Sequence, residues 1–84
     1  MRLSDLYILL VEPSKMQRHV IEKHLRGLGV ASIKSCDTGE EALELMAADP
    51  PDLVISTLYL AGISGAKLLT QMRTDTRLRD MAFV

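Results

Sequence analysis

Short apolar runs separated by amphipathic segments are the feature that most constrains the fold of this chain. Residues 6–11 are apolar throughout, and residues 53–55 repeat the pattern later in the chain. An unbroken apolar run of this length predicts a strand covered on both faces, as in a parallel sheet. Because parallel strands need long crossovers, the segments between them are expected to be helices. The pattern predicts an α/β fold.

The intervening segments carry helix start and stop signals. Ser14 with Gln17, and Thr38 with Glu41, have the spacing of a capping box. The first helix is expected to bury one apolar side and to end near Gly27. The residues of that apolar side are Met16, Val20, Ile21, Leu25 and Leu28.

The remaining elements complete an alternating order. Residues 30–36 are interrupted by polar side chains, which favours an edge strand. Ser64 is expected to cap a third helix carrying Ala66, Leu68, Leu69 and Met72, and residues 81–84 begin a further buried strand. Strand and helix thus alternate three times before a last strand. Right-handed crossovers then predict a parallel sheet with helices on both faces.

Composition limits the class of protein. The 84 residues suffice for one domain, and 48% are hydrophobic and 25% charged, as in a globular protein. A net charge of −1 gives no general electrostatic attraction to nucleic acid or to a membrane surface. The run at residues 6–11 is too short for a signal peptide or a membrane span. A cytoplasmic protein is expected.

The functional site is expected where the strands end. In open α/β sheets the binding crevice lies beyond the carboxyl ends of the strands, where the winding reverses. If the first and third strands are neighbours, Glu12, Pro13 and Thr57 all emerge into that crevice. These three residues are therefore the candidate site.

Four segments in one register resemble the receiver domains of two-component response regulators. They are residues 8–14, 38–43, 51–57 and 62–65. The resemblance implies a flavodoxin-like, three-layer α/β/α fold with a parallel sheet of order 2-1-3-4(-5). It also implies that residues 1–84 are a single receiver-like domain that stops in the fourth strand, without its C-terminal third. Such domains are signalling modules rather than enzymes.

The departures from the family pattern fall on its chemistry. Receiver domains have a phosphoacceptor aspartate at the position where this resembling chain has Thr57. They also have an acidic pair that holds magnesium at the positions where this chain has Glu12 and Pro13. A threonine hydroxyl needs a general base to attack, and proline offers no side-chain oxygen. Thr57 is thus a degenerate phosphoacceptor position, and Glu12 and Pro13 form a degenerate acidic pocket. No catalytic residue and no cofactor are expected, and Glu12 alone is a weak magnesium ligand.

These residues predict a pseudo-receiver, part of a bacterial phosphorelay regulator, that acts through protein–protein contact. Its partners would be a sensor kinase, an effector domain or another receiver, with no direct binding to nucleic acid or membrane. One alternative is phosphorylation at a non-standard acceptor such as Asp52, although this acid precedes its strand. Another is a flavin- or nucleotide-binding protein, but an acid stands where the phosphate would bind.

Other residues give more limited expectations. Cys36 is the only cysteine, which excludes an internal disulfide, and it is expected to be a buried, unreactive thiol. His19 and His24 are expected to be exposed. An apolar fourth strand at an open sheet edge would favour a longer polypeptide, a homodimer or exchange of elements between chains.

Overall fold

The molecule is a parallel sheet with helices packed against it. The computed structural model describes residues 2–56, 65–74 and 82–84. The strands are β1 (Tyr7–Val11), β2 (Ser32–Cys36), β3 (Leu53–Ser56) and β4 (Ala82–Phe83), and the helices are α1 (Lys15–Gly27), α2 (Gly39–Ala48) and α3 (Gly65–Thr74). A short 3-10 helix, Leu3–Asp5, precedes them. The strands pair in parallel in the order β2-β1-β3-β4, which confirms the predicted α/β fold and strand order.

Strand β1 is the centre of the core. Its residues from Ile8 to Val11 are at most 2% exposed, as expected for a strand covered on both faces. Leu9 and Val11 belong to a buried cluster on one face of the sheet that includes residues of α2 and α3. The other members of this cluster are Cys36, Ala42, Met46, Val54, Leu68 and Met72. Helices α2 and α3 therefore cover one face of the sheet.

Helix α1 covers the other face, but it buries less of its surface than the sequence predicts. The crossovers from β1 to β2 and from β2 to β3 run in opposite directions across the sheet, so right-handed connections place α1 opposite α2. No residue of α1 is buried; Ile21 and Leu25 are half-buried. Met16 and Val20 are 75% and 41% exposed, and Leu28, the C-cap residue, is 67% exposed.

The expectation that these five residues form the buried side of α1 is therefore wrong for Met16, Val20 and Leu28, which are exposed. The apolar residues of this helix span a wider arc than a flat sheet can contact. Ile21 and Leu25, one turn apart, share the half-buried side, while Met16 and Val20 lie to one side of it. Within the described residues, apolar surface of α1 beside the sheet contact is thus exposed.

Helices α1 and α2 start where the sequence predicts, and each forms the N-cap bond of its predicted capping box. The Ser14 hydroxyl accepts the Gln17 N–H at 3.3 Å, and the Thr38 hydroxyl accepts the Glu41 N–H at 3.1 Å. After α1, Gly29 has a φ of +107°, in the left-handed region that favours glycine. The chain thus leaves α1 in a tight turn that leads directly into β2.

The edge strand and the third helix also agree with the sequence patterns. Strand β2 lies at one edge, with Ser32, Lys34 and Ser35 exposed. In α3, Leu68 and Met72 are buried, whereas Leu69 is half-buried and Ala66 is exposed. Ser64, the predicted cap of this helix, lies outside the described residues. Among the residues described, no helix combines the length and apolar content that a bilayer span requires.

Candidate functional site

Glu12 lies at the carboxyl edge of the sheet, directly after β1. Its backbone N–H donates to the Cys36 carbonyl at 3.0 Å, which extends the pairing with β2 by one residue. The Glu12 side chain is half-buried. On the other side of β1, Val11 pairs with Ser56, the last residue of β3. The first and third strands are therefore adjacent, as predicted, and Glu12 emerges at the predicted edge.

The Glu12 carboxylate is turned toward the start of α1. Its Oε2 atom accepts the Ser14 N–H at 3.4 Å, and Ser14 in turn caps the helix. A carboxylate at this position is stabilised by the positive end of the helix dipole. Pro13, between the two, is exposed and has no side-chain oxygen. The acid therefore interacts with the N-terminal turn of its own helix.

Thr57 lies outside the described residues, as does the segment that follows it up to residue 64. It comes directly after Ser56, a half-buried residue at the end of β3. The assignment of Thr57 as a degenerate phosphoacceptor position therefore stays a prediction from the sequence.

The residues of this edge fit a magnesium ion poorly. Magnesium prefers octahedral oxygen ligands, with one or two carboxylates supplied by the protein and further oxygens from a phosphate or water. Within residues 2–56, 65–74 and 82–84, no group of three or more His, Cys, Asp or Glu side chains is placed to hold a metal ion. Glu12 is one carboxylate beside a proline, and it already accepts the Ser14 N–H. This donor set offers too few oxygens in the right geometry.

Asp52 lies at the opposite end of the sheet from Glu12. Its backbone N–H donates to the Tyr7 carbonyl at 2.8 Å, and its Oδ2 atom accepts the Tyr7 N–H at 2.8 Å. The carboxylate thus holds the starts of β1 and β3 together. The position follows from the sequence, but this bond was not foreseen, because the two residues are 45 positions apart and no local pattern joins them.

Cys36 packs in the core beneath the candidate site, as predicted. It is 2% exposed, and its Sγ donates to the Thr38 carbonyl at 3.7 Å. The pKa of the Cys36 thiol is raised to about 12. Burial is the largest cause, and the nearby negative charges of Glu41 and Asp37 add to it. The folded protein therefore keeps this thiol protonated and shielded from reagents.

Alkylation measures this protection directly. At mildly alkaline pH, iodoacetamide should modify Cys36 on the order of a thousandfold more slowly in the native protein than in denaturant, because thiolate is the reactive form. Mass spectrometry of timed samples gives both rates. Equal alkylation rates in the two states would contradict the buried thiol.

Since the pKa of the Cys36 thiol is raised in the folded state, the stability linked to this thiol should be intact below its ordinary pKa and decline as pH rises toward 12.

Comparison with known proteins identifies the family. The family model described as the response regulator receiver domain matches residues 8–83. The chain is 30% identical over 74 residues to the chemotaxis protein CheY of Pseudomonas aeruginosa, covering 88% of this chain and 60% of that protein. It superposes on the N-terminal domain of a response regulator receiver protein from Methanoculleus marisnigri with a TM-score of 0.88 and 32% identity, covering 95% of this chain and 64% of that one.

A second solved structure agrees with the first. A response regulator from Chloroflexus aurantiacus gives a TM-score of 0.89 at 27% identity, covering 93% of this chain and 63% of that chain. The chain spans about 60% of the length of the curated chemotaxis relatives that it matches. Matched sequence and matched fold both extend over most of its residues. This chain belongs to the response regulator receiver domain family.

Proposed function

We propose that this receiver domain transmits its signal by protein–protein contact, without phosphoryl transfer at the usual position. The observation that carries the proposal is the set of groups at the carboxyl edge of the sheet. Glu12 accepts a hydrogen bond from the N-terminal turn of α1, and the next residue is Pro13. Position 57 is threonine, whose hydroxyl is not ionised at neutral pH.

The chemistry explains why these substitutions matter together. An aspartate can attack a phosphoryl group directly, and a divalent cation held by further carboxylates neutralises the charge that develops. With Thr57 the nucleophile would need a base, and with Pro13 the cation would lose a ligand. A threonine ester would also lack the lability of an acyl phosphate. The buried core and the sheet order of the family are kept, so we infer that surface shape and charge carry the recognition.

Treatment with a small phosphodonor tests the proposal. The protein is incubated with acetyl phosphate and magnesium, and intact mass and hydroxylamine sensitivity are then measured. We expect no hydroxylamine-labile phosphate on any residue. Stoichiometric labelling of this kind would overturn the proposal, and peptide mapping would then identify the acceptor.

The alternative acceptor Asp52 receives less support. Its carboxylate accepts the Tyr7 N–H at 2.8 Å, at the end of the sheet away from Glu12. A flavin or nucleotide site is also disfavoured, because its phosphate would meet Glu12 at the N-terminus of α1. Neither alternative has an observation of its own in its favour.

The partners follow from this proposal. A sensor kinase, an effector domain or another receiver would each be recognised by surface shape and charge rather than by the state of a phosphate. A homodimer, or exchange of elements between two chains, is a further proposal; it rests on β4, which is at a sheet edge among the described strands. We place none of these partners at the carboxyl edge of the sheet.

A further inference from the structure

Strand β2 has one open side to its backbone. It is an edge of the sheet, and among the described strands it pairs with β1 alone. Alternate residues of a strand direct both of their backbone groups to the same side. Because the Cys36 carbonyl accepts the Glu12 N–H on the β1 side, the backbone groups of Ile33 and Ser35 point to the open side. Such a row of donors and acceptors is a template for pairing with another strand.

The Arg26 side chain covers the start of this open side. Its Nη1 atom donates to the Ala31 carbonyl at 3.1 Å. Ala31 directly precedes β2 and is two residues from Ile33, so its carbonyl continues the open row by the same alternation. Arg26 belongs to the last turn of α1. A strand that added to β2 would therefore have to displace this guanidinium from the carbonyl.

Lys34 lies at the middle of β2, between the two open residues, and its side chain is exposed. If two copies of β2 paired in antiparallel through these residues, Ile33 of one copy would pair with Ser35 of the other. The two Lys34 side chains would then lie directly opposite each other. Like charges at opposite positions destabilise an antiparallel pair, and lysine on an edge strand is a common means of avoiding edge pairing.

We propose that Arg26 and Lys34 keep the β2 edge of one chain from pairing with the β2 edge of a second copy. Arg26 occupies an acceptor that an added strand would need, and Lys34 repels the Lys34 of the second copy. This inference goes beyond the proposed function, because it concerns a contact that the chain avoids. A protein that acts by contact must limit which contacts form, and these two cations exclude the backbone of β2 from them.

A double variant that removes both cations tests the proposal. For Arg26→Ala, Lys34→Leu, sedimentation velocity should show a dimer with a dissociation constant at least about tenfold lower than that of the unaltered protein. The matched control is Arg73→Ala, Lys67→Leu, the same changes at exposed positions of α3. The control has the same net charge and the same β4, so a difference between the variants reports on β2. Association of the double variant no tighter than that of the control would overturn the proposal.

Hydrogen exchange of single amides locates the contact. In the unaltered protein the Ile33 and Ser35 amides should exchange fast, whereas the Lys34 amide, which faces β1, should be protected. In the dimeric double variant, all three amides should be protected. Protection of Ile33 and Ser35 in the unaltered protein would show that the edge is already covered. A dimer in which these two amides still exchange fast would use another surface, and either result would overturn the proposal.

A charge-reversal pair tests Lys34 without adding an apolar side chain. Arg26→Ala alone, and Arg26→Ala with Lys34→Glu, each place like charges opposite one another in a β2 pair. An equimolar mixture places lysine opposite glutamate, so it should form a heterodimer at least about tenfold more tightly than either variant self-associates at low salt. Circular dichroism confirms that all variants are folded. A mixture that associates no more than its components would overturn the role of Lys34.

Discussion

Replacing Leu9 with alanine should lower the free energy of unfolding by about 2–5 kcal/mol. Leu9 is fully buried at the centre of β1, between β2 and β3, and belongs to the cluster formed with α2 and α3. The substitution removes three carbons from the core. The cavity that they leave cannot collapse easily, because β1 is held by hydrogen bonds to β2 on one side and to β3 on the other. Urea denaturation followed by far-UV circular dichroism measures the change.

This loss is large relative to the total free energy of unfolding of a small domain. Single domains are stable by only about 5–15 kcal/mol, and a small one lies near the low end. Leu9→Ala is therefore expected to leave a substantial unfolded fraction at room temperature. Leu28→Ala is the matched control, since the same atoms are removed from a side chain that is 67% exposed. Its cost should stay within about 0.5 kcal/mol, and a similar loss at both positions would contradict the core assignment.

Periodicity and turn chemistry predicted the elements that depend on nearby residues. The apolar runs gave β1 and β3, Ser14 and Thr38 gave the helix starts, and the polar residues of β2 gave an edge strand. Burial of Cys36 was also foreseen. Each of these depends on signals within a few residues, or on a resemblance that extends over the chain.

Features that depend on contacts between residues far apart in the sequence could not be predicted from the sequence patterns. The apolar positions of α1 were recognisable, but their spacing does not tell which of them meet the sheet and which remain open. Ile21 and Leu25 are half-buried, whereas Met16 is 75% exposed. The bond between the Asp52 carboxylate and the Tyr7 N–H likewise joins residues 45 positions apart. Only the folded arrangement of the strands creates that contact.

The candidate site was predicted in part. Glu12 emerges at the expected edge of the sheet, but its hydrogen bond with the Ser14 N–H was not foreseen, although a carboxylate two residues before the N-cap of a helix is a recognisable signal. Thr57 lies outside the described residues. Its role therefore depends on chemistry at that position, which substitution can test.

Restoring carboxylates at the two altered positions should create magnesium affinity. In the double variant Pro13→Asp, Thr57→Asp, the introduced carboxylates come shortly after β1 and β3 in the sequence and supply oxygen ligands of the kind that magnesium prefers. We expect isothermal titration calorimetry to show at least about a tenfold lower dissociation constant for magnesium than in the unaltered protein. Circular dichroism confirms that the variant is folded.

The matched control is Pro13→Asn, Thr57→Asn, which has side chains of the same shape without the negative charges. Because magnesium binding depends on carboxylate charge, this control should gain little affinity. If the unaltered protein already binds magnesium as tightly as the aspartate variant, the site is not degenerate, and the absence of carboxylates at positions 13 and 57 has no consequence for magnesium binding. If the aspartate variant binds no more tightly than the asparagine control, the two positions do not face one another, and the proposed site is misplaced.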